Sequence, residues 1–82
     1  MRAKLQVGHV QTHTNADGDK TMETVSMHAV AASKYPDDGS DEDNTFARWS
    51  PGAHLSINIA NPDLFGRFRH GQKFIVDFSE AP

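Results

Sequence analysis

The chain has 82 residues, no cysteine and a formal net charge of −3. This length allows one domain, near the lower limit at which a single apolar core offsets chain entropy, and the lack of cysteine excludes a disulfide scaffold and a Cys-rich zinc site. No apolar run approaches the roughly 18 residues of a spanning helix, and the start Met1–Lys4 lacks the apolar stretch of a signal peptide, so we expect a soluble, unexported protein.

The charge is distributed unevenly along the chain. Five of the eleven acids lie in one short loop: Asp37, Asp38, Asp41, Glu42 and Asp43. The remainder carries eight Lys and Arg residues against six acids. An acidic loop on a mildly basic body argues against binding of bulk DNA or RNA, which needs many cationic phosphate contacts. One small phosphorylated ligand is still compatible with this charge.

The first 32 residues predict two antiparallel strands. The run Arg2–Thr14 alternates apolar and polar residues, and its apolar phase slips at Gly8, which indicates a β-bulge. Asn15–Asp19 is rich in residues that tolerate positive φ, so a hairpin turn follows. Lys20–Ala32 alternates again and predicts the second strand.

The middle of the chain predicts a loop and a second hairpin. Ser33–Asp43 has no periodicity and is acidic, so we expect a flexible, exposed loop over about 33–44. Thr45–Ala60 places a Ser50-Pro51-Gly52 turn between an aromatic–basic run and a clean alternation of apolar residues. That pattern is typical of a β-hairpin with one apolar face.

The last part of the chain predicts a short helix and a final strand. Asn61 can cap a helix that Pro62 begins. Lys73–Ser79 alternates, but Ile75 adds an apolar residue to its second face, which indicates a central strand or contact with a partner. The predicted fold is mainly β: residues 1–82 form one domain, a small antiparallel β-barrel or strongly bent sheet of about five strands, with one short helix between the last two strands.

No catalytic or metal-binding motif is apparent. His9 and His13 share a strand face but stand roughly 13 Å apart, and the other histidines have no local spacing that brings them together. The serines lack an elbow motif, and no Gly-rich loop precedes a helix. We therefore expect a protein that is not an enzyme and that carries no metal ion or cofactor.

Two basic–aromatic clusters are the candidate ligand-binding residues. The first is Phe46, Arg48 and Trp49, and the second is the pair Arg67 and Arg69. Flat rings and guanidinium groups stack on bases and clamp phosphates. In a domain of this size a Trp is more often part of the core than a ligand platform, and Arg48 is the better candidate because it is costly to bury unpaired.

Three pieces of the sequence, in order, resemble a family of small proteins encoded by tailed bacteriophages. These pieces are Arg2-Ala3-Lys4, then Glu42–Pro51 with its acid-acid-Asn-x-x-Phe/Ala-x-Trp-x-Pro pattern, then Asn61-Pro62 followed by Phe68, Gly71-x-Lys73-Phe74 and Val76-Asp77-Phe78. The departures are a longer loop at Ser33–Gly39 and His70-Gly71 where Pro-Gly is commoner.

The pattern is also similar to that of phage anti-CBASS sponge proteins. The resemblance implies a homo-oligomer that sequesters the cyclic dinucleotide signals of bacterial anti-phage defence in the host bacterial cytoplasm, without hydrolysing them. The alternative is a virion structural or assembly protein, a decoration or tail component that binds other phage proteins through a sheet edge and an aromatic surface.

Overall fold

The computed structural model describes residues 1–82 and contains one antiparallel sheet. Its strands are β1 (Arg2–Thr14), β2 (Lys20–Ala29), β3 (His54–Ile59) and β4 (Lys73–Asp77), in the spatial order β3-β2-β1-β4. The prediction of a mainly β fold is confirmed. The sheet is open rather than closed into a barrel, it has four strands rather than about five, and in place of the helix there is one 3-10 turn (Pro62–Leu64).

The hairpin of β1 and β2 follows from its local sequence. The pairing register shifts between Val7 and His9, so the predicted bulge at Gly8 is confirmed. In the turn, Asn15 Oδ1 accepts hydrogen bonds from the N–H groups of Asp17 at 2.9 Å and Asp19 at 3.0 Å. Since one side chain satisfies two backbone donors, the turn is fixed without tertiary contacts.

The core lies on one side of the sheet, which we call the apolar face. Its buried members are Ala3, Leu5, Val7, Val25, Met27 and Ile59. The segment that follows the 3-10 turn packs against this face through Phe65 and Phe68, and the Phe68 and Phe74 rings lie 5.3 Å apart between centroids. The other side of the sheet carries the polar residues of the alternation, together with Ile75.

The 3-10 turn begins as the sequence predicts and ends early. Asn61 Oδ1 accepts a hydrogen bond from the Asp63 N–H at 3.0 Å, and Pro62 occupies the first position of the turn. Phe65 already has an extended backbone (φ −63°, ψ 137°). The extended backbone at Phe65 directs its side chain to the apolar face, where the ring packs. This packing ends the helix after one turn.

A buried carboxylate attaches this segment to the sheet. Glu23 lies on the apolar face of β2, and its Oε1 accepts a hydrogen bond from the Gly66 N–H at 2.8 Å. Its Oε2 is 3.3 Å from Lys20 Nζ, which also lies 4.9 Å from the centroid of the Phe65 ring. The charge of Glu23 is therefore paired and hydrogen-bonded, as a buried charge must be.

The predicted first strand of the second hairpin, before Ser50, does not form. Residues 30–53, which we call the connecting loop, join β2 to β3 and contain no strand, only an isolated bridge between Ser40 and Arg48. Trp49 has φ 68°, which is incompatible with a strand. No helix in the protein has the length and apolar character needed to cross a bilayer.

Candidate functional site

Asn44 fixes the connecting loop to the sheet. Its side chain is fully buried; Oδ1 accepts a hydrogen bond from the Lys4 N–H at 2.8 Å, and Nδ2 donates to Val30 O at 2.8 Å. β2 has left the sheet at this level, and Asn44 with Thr45 satisfies the backbone of β1 in its place. This part of the acidic loop is therefore buried, contrary to the exposed loop that the sequence predicts.

Asp41 closes the base of the same loop. Its Oδ1 accepts the N–H groups of Asp43 at 2.9 Å and Asn44 at 3.0 Å, and its Oδ2 accepts the Ala32 N–H at 3.2 Å. Burial is the largest single influence and acts to raise the pKa of Asp41, but the hydrogen bonds to its carboxylate together outweigh burial and lower that pKa. The buried carboxylate is thus held in its charged form.

An exposed pair of rings stands on this anchored loop. We call Tyr35 and Trp49 the ring surface; their centroids are 6.1 Å apart with an angle of 50° between the planes. Trp49 is 57% exposed, so it is not a core residue. The Tyr35 hydroxyl lies 3.4 Å from Asp41 Oδ2, and partial burial together with that carboxylate raises the pKa of Tyr35.

The backbone of Trp49 is strained and held against a glycine. The Ser50 N–H donates to Arg48 O at 2.8 Å, which closes a three-residue turn around Trp49 with its positive φ, a rare and strained turn. The Trp49 N–H donates to Gly39 O at 2.7 Å. A Cβ on Gly39 would lie 2.3 Å from the Trp49 ring, and Gly39 itself has φ +77°, so only glycine fits beneath the ring.

Arg48 lies beside the ring surface and is exposed. The protein has three ion pairs, and none of them involves Arg48. The Ser40 N–H, which donates to Asp38 Oδ1 at 3.0 Å, is the main cause that lowers the pKa of Asp38, and the positive charge of Arg48 also lowers it. The Arg48 guanidinium is therefore available to an anion.

Phe46 belongs to different surroundings. It lines a groove of about 430 Å³ on the apolar face, together with Met1, Leu5, Leu55 and Phe78. We call this the apolar groove; its remaining lining residues are Ala3, Gly52, Ala53 and His54. The lining contains no Lys, Arg, Asp or Glu side chain, so the groove suits an apolar occupant.

Arg67 lies far from Arg48 along the sheet. Arg69 lies at an intermediate level, because its N–H donates to Gln72 Oε1 and Gln72 O accepts the Val7 N–H. Thr45 contacts Arg2 at the start of β1, whereas Gly66 is held by Glu23, whose partner on β1 is Thr12. Ten residues of strand separate these two levels, or about 33 Å at 3.3 Å per residue. The two predicted basic–aromatic clusters are therefore separate in one chain.

Sequence reasoning missed the residues that hold the site. Glu23 shares the apolar phase of β2 with Val25, so a charged residue in that phase was a usable signal. The acidic composition predicts a flexible, exposed loop for Asp41 and Asn44, although Asp-x-x-Asn is a spacing at which a carboxylate can accept backbone N–H groups locally. Nothing in the sequence indicated that Tyr35 would face Trp49.

A second depression of about 460 Å³ adjoins Tyr35. It is lined by Lys34, Tyr35, Pro36, Ser40, Asp41 and Glu42. In the whole protein no three His, Asp or Glu side chains are grouped so that they could hold a metal ion.

Comparisons with family profiles, with curated proteins and with solved structures found no match to this chain.

Proposed function

We propose that this protein is a non-catalytic binding protein that sequesters a cyclic dinucleotide, with a base stacked on the ring surface and a phosphate at Arg48. The observation that carries the proposal is the exposed Trp49 ring, held on a strained backbone above Gly39. Stacking on an aromatic side chain contributes about 1–3 kcal/mol per base and accepts any base.

Strain at Trp49 supports a binding role for its ring. A residue other than glycine at positive φ costs about 1–3 kcal/mol, and such residues cluster at ligand sites. In this protein the ring gains little burial in return, because more than half of it faces solvent. A strained backbone that holds an exposed ring does little for folding stability, and binding of a ligand to the ring would account for it.

The surrounding charges favour a small anion over a polyanion. Arg48 is next to Trp49 in the sequence and Lys34 is next to Tyr35, and neither cation takes part in an ion pair. Asp38 and Glu42 lie nearby and repel an extended phosphate backbone. A cyclic dinucleotide, with two phosphates and two flat bases, needs few cations and two flat surfaces on which its bases can stack.

The resemblance to phage sponge proteins supplies the ligand class and the setting, the cytoplasm of a bacterial host. Arg67 reaches the same ligand only if a second subunit brings it there, since it lies at the far level of β1, and Arg69 lies at the intermediate level of Val7. Phe46 faces the apolar groove rather than the ring surface. Within one chain the proposed ligand residues are therefore Tyr35, Arg48 and Trp49.

Calorimetry against a panel of cyclic dinucleotides tests the proposal. We expect binding by the wild-type protein, recovery of unmodified ligand after protease digestion, and at least about tenfold weaker binding by Arg48→Ala and by Trp49→Ala. Lys73→Ala is the control, an exposed cation on β4 that belongs to neither candidate cluster and to no ion pair, and it should bind as the wild type does. No heat at millimolar ligand, or equal loss in all three variants, would reject the proposal.

A second function, virion assembly, is favoured by a different observation, the uncovered apolar groove. A decoration or tail component would bury this groove against another phage protein. Mass spectrometry of purified virions separates the two functions. A sponge is absent from the particles, whereas a decoration protein is present in many copies.

A further inference from the structure

The chain exposes more surface than a protein of its mass normally does. Its accessible surface is 5756 Å², whereas a folded monomer of 9.0 kDa exposes about 4,850 Å². The excess is about 900 Å², close to the roughly 800 Å² that each partner contributes to a standard protein–protein interface.

The shape of the chain agrees with this excess. The radius of gyration is 15.6 Å, against about 12 Å for a compact domain of 82 residues. The smallest extent of the Cα atoms is 16 Å, which accommodates one sheet and a partial cover. Stable domains have at least two packed layers around a core, and here the second layer is incomplete.

The missing cover is on the apolar face. The segment around Phe65 and Phe68 covers one part of this face, and the apolar groove occupies another part. Ile57 pairs with Val25, so it lies on the same face, and it is 39% exposed. Phe78, in the groove, is also exposed.

We infer that a second copy of this chain covers the apolar face, so that two sheets pack face to face across a two-fold axis and form a sandwich. Because the groove lining has no Lys, Arg, Asp or Glu side chain, two identical grooves can meet without burying these charges against each other. Sheets that pack this way lie about 10 Å apart. This interface is independent of the ring surface and does not rest on the proposed ligand.

Light scattering and sedimentation, from about 1 to about 100 µM protein, measure the association. We expect a mass of twice 9.0 kDa for the wild-type protein. Ile57→Lys should raise the dimer dissociation constant at least about tenfold, because it places a charge in the covered face. Phe78→Ser, on the same face, provides a second variant if Ile57→Lys does not fold by circular dichroism.

Ile75→Lys is the matched control. Ile75 is also an isoleucine on an outer strand, 49% exposed, but it pairs with Lys4 and so lies on the opposite side of the sheet. The control should dimerise as the wild type does. If the wild-type protein is a monomer over the whole concentration range, the inference is wrong and the groove would have to bind a different protein. The inference is also wrong if Ile75→Lys dissociates the dimer and Ile57→Lys does not.

Discussion

Asn44 and Asp41 are bound to each other twice: Asn44 Nδ2 donates to Asp41 Oδ2 at 3.1 Å, and the Asn44 backbone N–H donates to Asp41 Oδ1 at 3.0 Å. This pair lets the acidic part of the connecting loop lie buried between β1 and the residue that follows β2, through the hydrogen bonds of Asn44 to Lys4 and Val30. Removal of either side chain alone would leave buried polar groups without hydrogen-bond partners.

Asn44→Ala should lower the free energy of unfolding by about 3 kcal/mol, because the Lys4 N–H, Val30 O and Asp41 lose their partner in a buried site. Urea denaturation measures this change. Asn58→Ala is the control, since Asn58 is exposed and only accepts a hydrogen bond from Thr24. It should cost less than about 1 kcal/mol, and equal costs for both variants would contradict the role of Asn44.

Stability should fall in acid, in part through Asp41. The folded-state pKa of Asp41 lies below the ordinary value of 3.8, so its contribution is complete above that value and is lost as the pH falls through the folded pKa. Asp77 acts in the same direction, because its hydrogen bond from Arg2 lowers its pKa.

Thermal unfolding of Asp41→Asn from pH 7 down to pH 2 isolates the Asp41 part. The variant should be less stable than the wild-type protein near neutral pH, and the difference should shrink below about pH 4. Asp37→Asn, on the same loop and without a side-chain hydrogen bond, should follow the wild type throughout. A difference for Asp41→Asn that stays constant with pH would contradict the assignment.

Gly39→Ala should displace the Trp49 ring, because the new Cβ would lie 2.3 Å from it. Gly66→Ala is a matched control with nearly the same φ, +78° against +77°, and open space around its Cβ. Both variants carry the strain of positive φ, about 1 kcal/mol. Only Gly39→Ala should change the emission of the single Trp; an unchanged spectrum would place the ring elsewhere.

Trp49→Gly should cost little stability. It relieves the positive φ and removes a ring that is mostly exposed, so the free energy of unfolding should change by less than about 1 kcal/mol. Phe68→Ala, which removes a ring packed against Phe74 and the core, should cost about 3 kcal/mol in the same denaturation experiment. A larger loss for Trp49→Gly than for Phe68→Ala would make Trp49 a structural residue.

Glu23→Ala should loosen the segment of Phe65 and Phe68, since the Gly66 N–H and Lys20 lose their common partner. We expect a loss of about 2 kcal/mol in unfolding free energy and faster amide exchange at Gly66. Glu23→Gln keeps an acceptor for Gly66 and should retain slower exchange there. Identical exchange in both variants would contradict a specific role for this hydrogen bond.

The sequence predicts those parts of the fold that depend on local chemistry. Gly8 breaks the apolar phase of β1, and Asn15 can satisfy its own turn, so the first hairpin is readable without tertiary information. The segment before Trp49 alternates like a strand and is not one. Instead, Asn44 binds the backbone of β1 where β2 has ended, a long-range contact that periodicity does not encode.

The candidate site can be predicted only partly from the sequence, because it too depends on long-range contacts. Arg48 and Trp49 are recognisable as residue types that bind bases and phosphates. The contact between Tyr35 and Trp49 depends on Gly39 and on the backbone turn at Trp49, which follow from how the connecting loop closes. The separation of Arg67 from Arg48 depends on the register of β1 with β2 and on the Glu23 hydrogen bond to Gly66.

The hydrogen bond from the Ala32 N–H to Asp41 at 3.2 Å makes residues 33–40 an excursion whose two ends meet. The entropy of closing such a loop changes only slowly with its length, so insertions or exchanges within it cost the sheet little. The excursion nevertheless contains Tyr35 and Gly39, which shape the surroundings of Trp49. Sequence changes within residues 33–40 should therefore alter the surroundings of Trp49 while the sheet keeps its structure.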